Sequence, residues 1–217
     1  YTYDDAKKCL WAELTPEFAK SIPNVLQVKT LSKDRNDYIL HPPTGEQLSP
    51  ESVAAIEKLR DSWGAKAPRG QIVISDGLNA KAIMDEGHLT PYLQEMRRLL
   101  AEADVPMSDT NILVTGGRVR AGYRIGELLF AKADNKGFRG ILHIIGERPG
   151  TMHHSYSVYI TVAKGSVWGE KKIDHDITKL VCNIADTALP PKKAAEETLT
   201  IMREIAGKEA NNSRRPS

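Results

Sequence analysis

Three short runs of β-branched and aliphatic residues each stop at a glycine turn and lead into a helical pattern. That alternation leaves the chain few folds. Ile72-Val73-Ile74 runs into Ser75-Asp76-Gly77, Ile112-Leu113-Val114 stops at Gly116-Gly117, and Ile141-Leu142-His143-Ile144-Ile145 stops at Gly146. Behind Thr90-Pro91, residues Leu93, Met96, Leu99 and Leu100 share one helical face; from about Tyr123, Ile125, Leu128 and Leu129 share another. Strands alternating with amphipathic helices predict an α/β fold: a Rossmann-like parallel sheet, right-handed crossovers, and helices on both faces. Further on, Val158-Tyr159-Ile160-Thr161-Val162 alternates like an additional strand, and Leu180-Val181-Cys182 reads as another. A last helix is expected from Pro190-Pro191 to about Gly207, burying Ala195, Thr198, Leu199, Met202 and Ile205.

The first part of the chain reads differently. It carries Pro16, Pro23, Pro42-Pro43 and Pro50, and one helix stands out. Ser49 suits its cap, Pro50 its first position, and Val53, Ile56 and Leu59 its inward face. The expected organisation is a short, mostly helical N-terminal appendage over 1–64, a connector through Pro68 and Gly70, a Rossmann-like domain over 71–207, and a disordered polar tail over 208–217 holding Arg214-Arg215.

With 217 residues the chain is long enough for one sizeable core plus an appendage. A formal net charge of +2 with scattered Lys and Arg argues against a nucleic-acid or membrane partner. No apolar run approaches the roughly 20 residues of a spanning helix. Only Cys9 and Cys182 occur, so a reduced compartment, the cytoplasm, is expected.

Ligands of open α/β sheets bind beyond the carboxyl ends of the strands, so the chemistry is sought at the glycine turns. Asp76 either caps neighbouring amides or faces a ligand, and capping is the simpler role. Gly116-Gly117-Arg118-Val119-Arg120 admits close approach and carries two cations, but it is not a phosphate loop. Gly117 and Gly122 have the right spacing, yet Tyr123-Arg124 stands where Lys-Ser/Thr is needed. No dinucleotide fingerprint follows the first strand either. Gly146-Glu147-Arg148-Pro149-Gly150 is a stiffened turn in which Glu147 either pairs with Arg148 or meets a ligand. The histidines give no metal spacing: His153 and His154 are adjacent, Asp174-His175-Asp176 reads as a solvated loop, and His143 as a core or interface histidine. Cys182 is expected to be a buried, inert thiol. Neither a catalytic set nor a metal site emerges.

Together these segments resemble one family, the small (light) subunit of ethanolamine ammonia-lyase. The resemblance rests on Val73-Ile74-Ser75-Asp76-Gly77-Leu78, on Gly117-Arg118-Val119 with Ile125-Gly126-Glu127, and on Ile145-Gly146-Glu147-Arg148-Pro149-Gly150. Asn183-Ile184, the Pro190-Pro191 helix start, and more faintly Tyr38-Ile39-Leu40-His41-Pro42 with Gly45 and Leu48, extend it over most of residues 14 to 206. It implies a subunit without catalytic residues of its own, one that helps bind adenosylcobalamin (coenzyme B12, with its cobalt) against a large subunit. That large subunit would convert ethanolamine to acetaldehyde and ammonia. It also implies a hetero-oligomer in the cytoplasm or in a bacterial microcompartment. Family cofactor contacts carry over to Val119 and Glu147. A third is a cysteine three residues before the Asn of Asn-Ile; here that position is Leu180, and the cysteine sits at Cys182. The string Asp-x-His-x-x-Gly, by which other cobalamin enzymes place a histidine beneath cobalt, does not occur.

A reading from another class stays open on sequence: a stand-alone Rossmann-like module that binds a different ligand or regulates.

Overall fold

The computed structural model describes residues 2–134, 137–150 and 154–212. His153 and Arg214-Arg215 lie outside the described residues. The N-terminal segment forms α1 (Thr2–Trp11), α2 (Pro16–Ser21), β1 (Val25–Lys29), α3 (Arg35–Leu40), a 3₁₀ turn (Pro42–Glu46) and α4 (Pro50–Ser62). The α/β region follows with β2 (Gly70–Ser75), α5 (Ala80–Met84), α6 (Leu89–Glu102), β3 (Asn111–Thr115), α7 (Val119–Phe130) and β4 (Phe138–Gly146). Last come β5 (Tyr156–Lys164), α8 (Gly165–Gly169), a 3₁₀ turn (His175–Ile177), β6 (Thr178–Ile184) and α9 (Pro191–Asn212).

The six strands form one sheet in the order β1-β3-β2-β4-β5-β6. β1, β3, β2 and β4 are parallel neighbours, while β5 runs antiparallel to both β4 and β6. A parallel pair needs a crossover of about a dozen or more residues. The connection from Gly146 to Tyr156 is shorter, so β5 turns back. The Rossmann-like reading therefore holds for a mostly parallel sheet with a reversed strand near its edge.

Each face carries its own core, because the inward residues of every strand alternate. Ile72, Ile74, Leu113, Leu142 and Ile144 pack against α5, α6 and α9. Val73, Ile112, Val114 and Ile141 pack against α4, α7 and Trp168 of α8. Fully burying a side chain of this size stabilises by roughly 1.5–3 kcal/mol, so the paired cores hold the strand ends in fixed places.

Several elements differ from expectation. The segment ahead of residue 65 is not helical throughout: β1 joins the sheet beside β3 with Val28 buried. α7 starts at Val119, a full turn before Tyr123. α9 continues past Gly207 to Asn212. The helix at 50–62 matches its signals, with Ser49 Oγ accepting the Ser52 amide at 3.3 Å. Its cap and Pro50 start were both legible in the sequence.

Candidate functional site at the carboxyl edge

The chain leaves β2 toward β3 on one side and returns to β4 on the other, so the topological switch lies between β2 and β4. Ligand sites of open α/β sheets concentrate there. In this protein the crevice between the two strand ends is closed by backbone. Gly77 has φ +57°, and a Cβ there would sit 2.1 Å from the Gly146 carbonyl oxygen. Leu78 N–H donates to that same oxygen at 3.0 Å.

Asp76 holds the closed edge together. Its Oδ1 accepts the amides of Gly77 and Gly117, and its Oδ2 accepts that of Gly116, each at 3.0 Å. Arg35 Nη1 of α3 sits 3.3 Å from Oδ2 and also donates to the Gly77 carbonyl at 2.9 Å. Burial pushes the Asp76 carboxyl up to about 6 against the pull of Arg35 and the three amides, so it is ionised at neutral pH. Capping, not ligand binding, is its work.

The Gly116-Gly117 loop is equally committed to the protein. Tyr38 donates its hydroxyl to the Gly117 carbonyl at 3.2 Å, and the guanidiniums of Arg35 and Arg118 lie over its ring, 4.7 and 4.6 Å from the centroid. Arg118 also donates to the Tyr38 carbonyl at 2.8 Å, and its own amide donates to Gly45. Arg120 pairs with Glu46 and Asp174. The arginines at the head of α7 are thus spent on internal contacts. The segment around Tyr38 and Gly45 holds Arg118, the residue just before Val119.

Beneath the first turn of α7, His143 is fully buried and shares a 2.6 Å hydrogen bond with Ser75 Oγ. Its Nδ1 faces Gly122, where a Cβ would come within 2.4 Å. Burial lowers its pKa to about 4, so this is the core histidine expected from its place in a strand.

Two of the residues singled out by resemblance, Leu180 and Cys182, lie on β6 beside one side chain that sequence reading missed, Tyr159 of β5. Leu180 is its register partner on β6, and His143 its partner on β4. Burial pushes the Tyr159 phenol up to about 12, and Glu147, Tyr123 and Cys182 act on it in the same direction. Tyr123 lies one helical turn beyond Val119. His175 stacks edge-on against both tyrosines, with centroids 5.7 and 6.3 Å apart. It is held by Asp174, whose carboxyl is drawn well below the usual range by His175 and Arg120. The alternation of the 156–164 strand, which puts Tyr159 on the face opposite Val158 and Ile160, was the available signal.

Val119 is half-buried at the start of α7. Glu147 is half-buried just past β4; its amide donates to Ser155, and its carboxylate makes no ion pair with a described residue, Arg148 included. Leu180 is 43% exposed. Cys182 is exposed, against the expectation of a buried thiol; the buried cysteine is Cys9. The reason is the place of β6: it is the edge strand, and Leu180 and Cys182 lie on the side away from the buried Val181.

Across residues 1–212 the chain matches the family described as ethanolamine ammonia-lyase light chain (EutC). The chain belongs to that family. Light chains of this family are subunits of a carbon–nitrogen lyase that depends on adenosylcobalamin, and they work with a heavy chain. The donor set around Tyr159 fits such a cofactor. A corrin offers broad apolar faces and a rim of amide side chains; a carboxylate in no ion pair with a described residue, a phenol, an exposed leucine and a half-buried valine are complementary to both. No helix among the described residues is long and apolar enough to cross a membrane.

A second opening lies at the same edge, a cleft of about 610 Å³ between α1 and the strand-end loops. Tyr3, Trp11, Ile39, Leu78, Arg118 and Pro149 line it.

Proposed function

We propose that this light chain holds adenosylcobalamin over the β4–β6 end of the sheet, on the α7 side, with Val119, Glu147, Leu180 and Cys182 as contacts and Tyr159 among them. The observation carrying this is the register pair of Tyr159 with Leu180, next to Cys182 on the exposed face of the edge strand, with Glu147 just past β4 acting on Tyr159 and in no ion pair with a described residue. Glu147 would accept hydrogen bonds from corrin amides. Val119 and Leu180 would cover apolar surface, and Tyr159 would keep its proton at working pH and serve as a donor.

When bound, the cofactor supplies the radical that drives conversion of ethanolamine to acetaldehyde and ammonia; the protein supplies binding, orientation and exclusion of water. The closed switch point, with Asp76 and Arg35 bonded inward, offers no acid or base to a substrate. Ethanolamine is accordingly assigned to the heavy chain. We place the complex in the cytosol, free or within a protein shell, in keeping with two free cysteines.

The test is reconstitution. Heavy chain, light chain and both together are loaded with adenosylcobalamin, desalted, and read by visible absorption and acetaldehyde formation. Retained cofactor and turnover only in the mixture support the reading. Turnover by the light chain alone, or full retention by the heavy chain alone, overturns it.

A further inference from the structure

Away from Tyr159, a second cluster joins α1 to the segments that follow β4 and α5. Asp5 and Cys9 sit one turn apart on α1 and so share a face. His154 Nε2 lies 2.9 Å from Asp5 Oδ2 and 3.2 Å from Cys9 Sγ, and Asp5 Oδ2 and Cys9 Sγ are 3.9 Å apart. These atoms form a compact triangle of one oxygen, one nitrogen and one sulfur. Just off its plane, a point stands about 2 Å from all three, close to the Zn–O, Zn–N and Zn–S lengths of about 2.0–2.3 Å.

The surroundings fit a metal centre. Asp85, next after α5, holds His154 Nδ1 at 2.5 Å. That contact aims Nε2 at the triangle, as a carboxylate does behind a metal-bound imidazole. Cys9 is fully buried while Asp5 is exposed, so the site has a dry side and an open one. Lys81 Nζ is 4.0 Å from the other Asp5 oxygen, Oδ1, and leaves Oδ2 facing the triangle. Two carboxylates, a thiolate and Lys81 balance a divalent ion and a neutral imidazole.

We propose that Asp5, Cys9 and His154 bind a zinc-type divalent cation, with Asp85 orienting the histidine. The ion ties α1 to the loop after β4 and so fixes one wall of the cleft lined by Tyr3, Trp11, Arg118 and Pro149. Three protein ligands leave one coordination position open. A cysteine ligand gives up its thiol proton on binding the ion, and that proton leaves to solvent.

The experiment uses the heavy–light complex, freed of cobalamin, stripped with a chelator and titrated with Zn²⁺ against a chromophoric indicator, with heavy chain alone as the blank. One Zn²⁺ per light chain is expected, with proton release. Asp5→Asn, at an exposed position that leaves the fold intact, and His154→Gln should abolish the uptake; Asp85→Asn should weaken it about 10–100-fold. Co²⁺ in place of Zn²⁺ should give a thiolate-to-metal charge-transfer band that Cys9→Ser removes. No uptake by the unaltered complex, or uptake that is the same in Asp5→Asn and His154→Gln, overturns the proposal. In that case His154 is a latch between two carboxylates, independent of the cofactor reading above.

Discussion

Arg118 stacks on the ring of Tyr38, 4.6 Å from guanidinium carbon to centroid, and donates to the same residue's carbonyl at 2.8 Å. The contact reaches from the helix between β1 and the 3₁₀ turn to the residue immediately before Val119. An N-terminal element thereby sets where α7 begins. Arg35 also lies over this ring, 4.7 Å from the centroid, and in turn pairs with buried Asp76.

Removing the ring should loosen this stack. Desolvated cation–π contacts are worth about 2 kcal/mol each, so Tyr38→Leu is expected to lower stability by at least about 2 kcal/mol and to weaken cofactor retention as Val119 loses its place. Arg118→Lys should reproduce part of the loss, because an ammonium neither stacks nor forks as a guanidinium does. Denaturant unfolding and desalting retention, measured together, check this; an unchanged retention in a destabilised Tyr38→Leu would separate the stack from the site.

Glu147→Gln keeps shape and removes charge. A charge-assisted hydrogen bond contributes about 1.5–3 kcal/mol, so adenosylcobalamin retention should fall about ten- to a hundred-fold. The thermal midpoint should stay put, since Glu147 makes no ion pair with a described residue. Equilibrium dialysis of the cofactor against the heavy–light complex measures it.

Leu180 and Cys182 can be told apart. Leu180→Asp puts a charge where an apolar contact is proposed and should weaken retention more than tenfold; Cys182→Ser is nearly isosteric and should change it little. The exposed Cys182 thiol should react with a maleimide in the cofactor-free light chain and be protected in the loaded complex, whereas buried Cys9 should not react in either. Mass spectrometry of the labelled light chain reads both sites.

His143 makes stability depend on acid. Its pKa falls from an ordinary 6.5 to about 4 on folding, through burial. The unfolded chain then binds the extra proton between those values, so the stability from burying the neutral ring is full above about 6.5 and is lost as pH falls toward 4. At pH 5 the loss from this group is on the order of 2 kcal/mol. Denaturant midpoints at pH 7 and pH 5 should show a drop that His143→Gln reduces.

Much of this protein was legible in one dimension. Periodicity and glycine stops marked β2, β3, β4 and β5, the helices α4, α6 and α9, and the carboxyl edge as the place for ligands, because strand and helix periods depend only on neighbours along the chain. The strings around Val119 and Glu147 were legible for the same reason, and they carried the family. What tertiary structure alone decided was where separated segments meet. Val25–Lys29 became a strand because β3 offered it an edge. The Gly116-Gly117 loop turned out to be filled by Asp76 and Tyr38, and Cys182 fell on the open side of an edge strand. Tyr159 came to lie beside Leu180 through cross-strand register, and Asp5, Cys9 and His154 came together across 145 to 149 positions of the chain. Pairings of that kind are set by the packing of the two cores and by hydrogen bonds between distant backbones, and no local pattern records them.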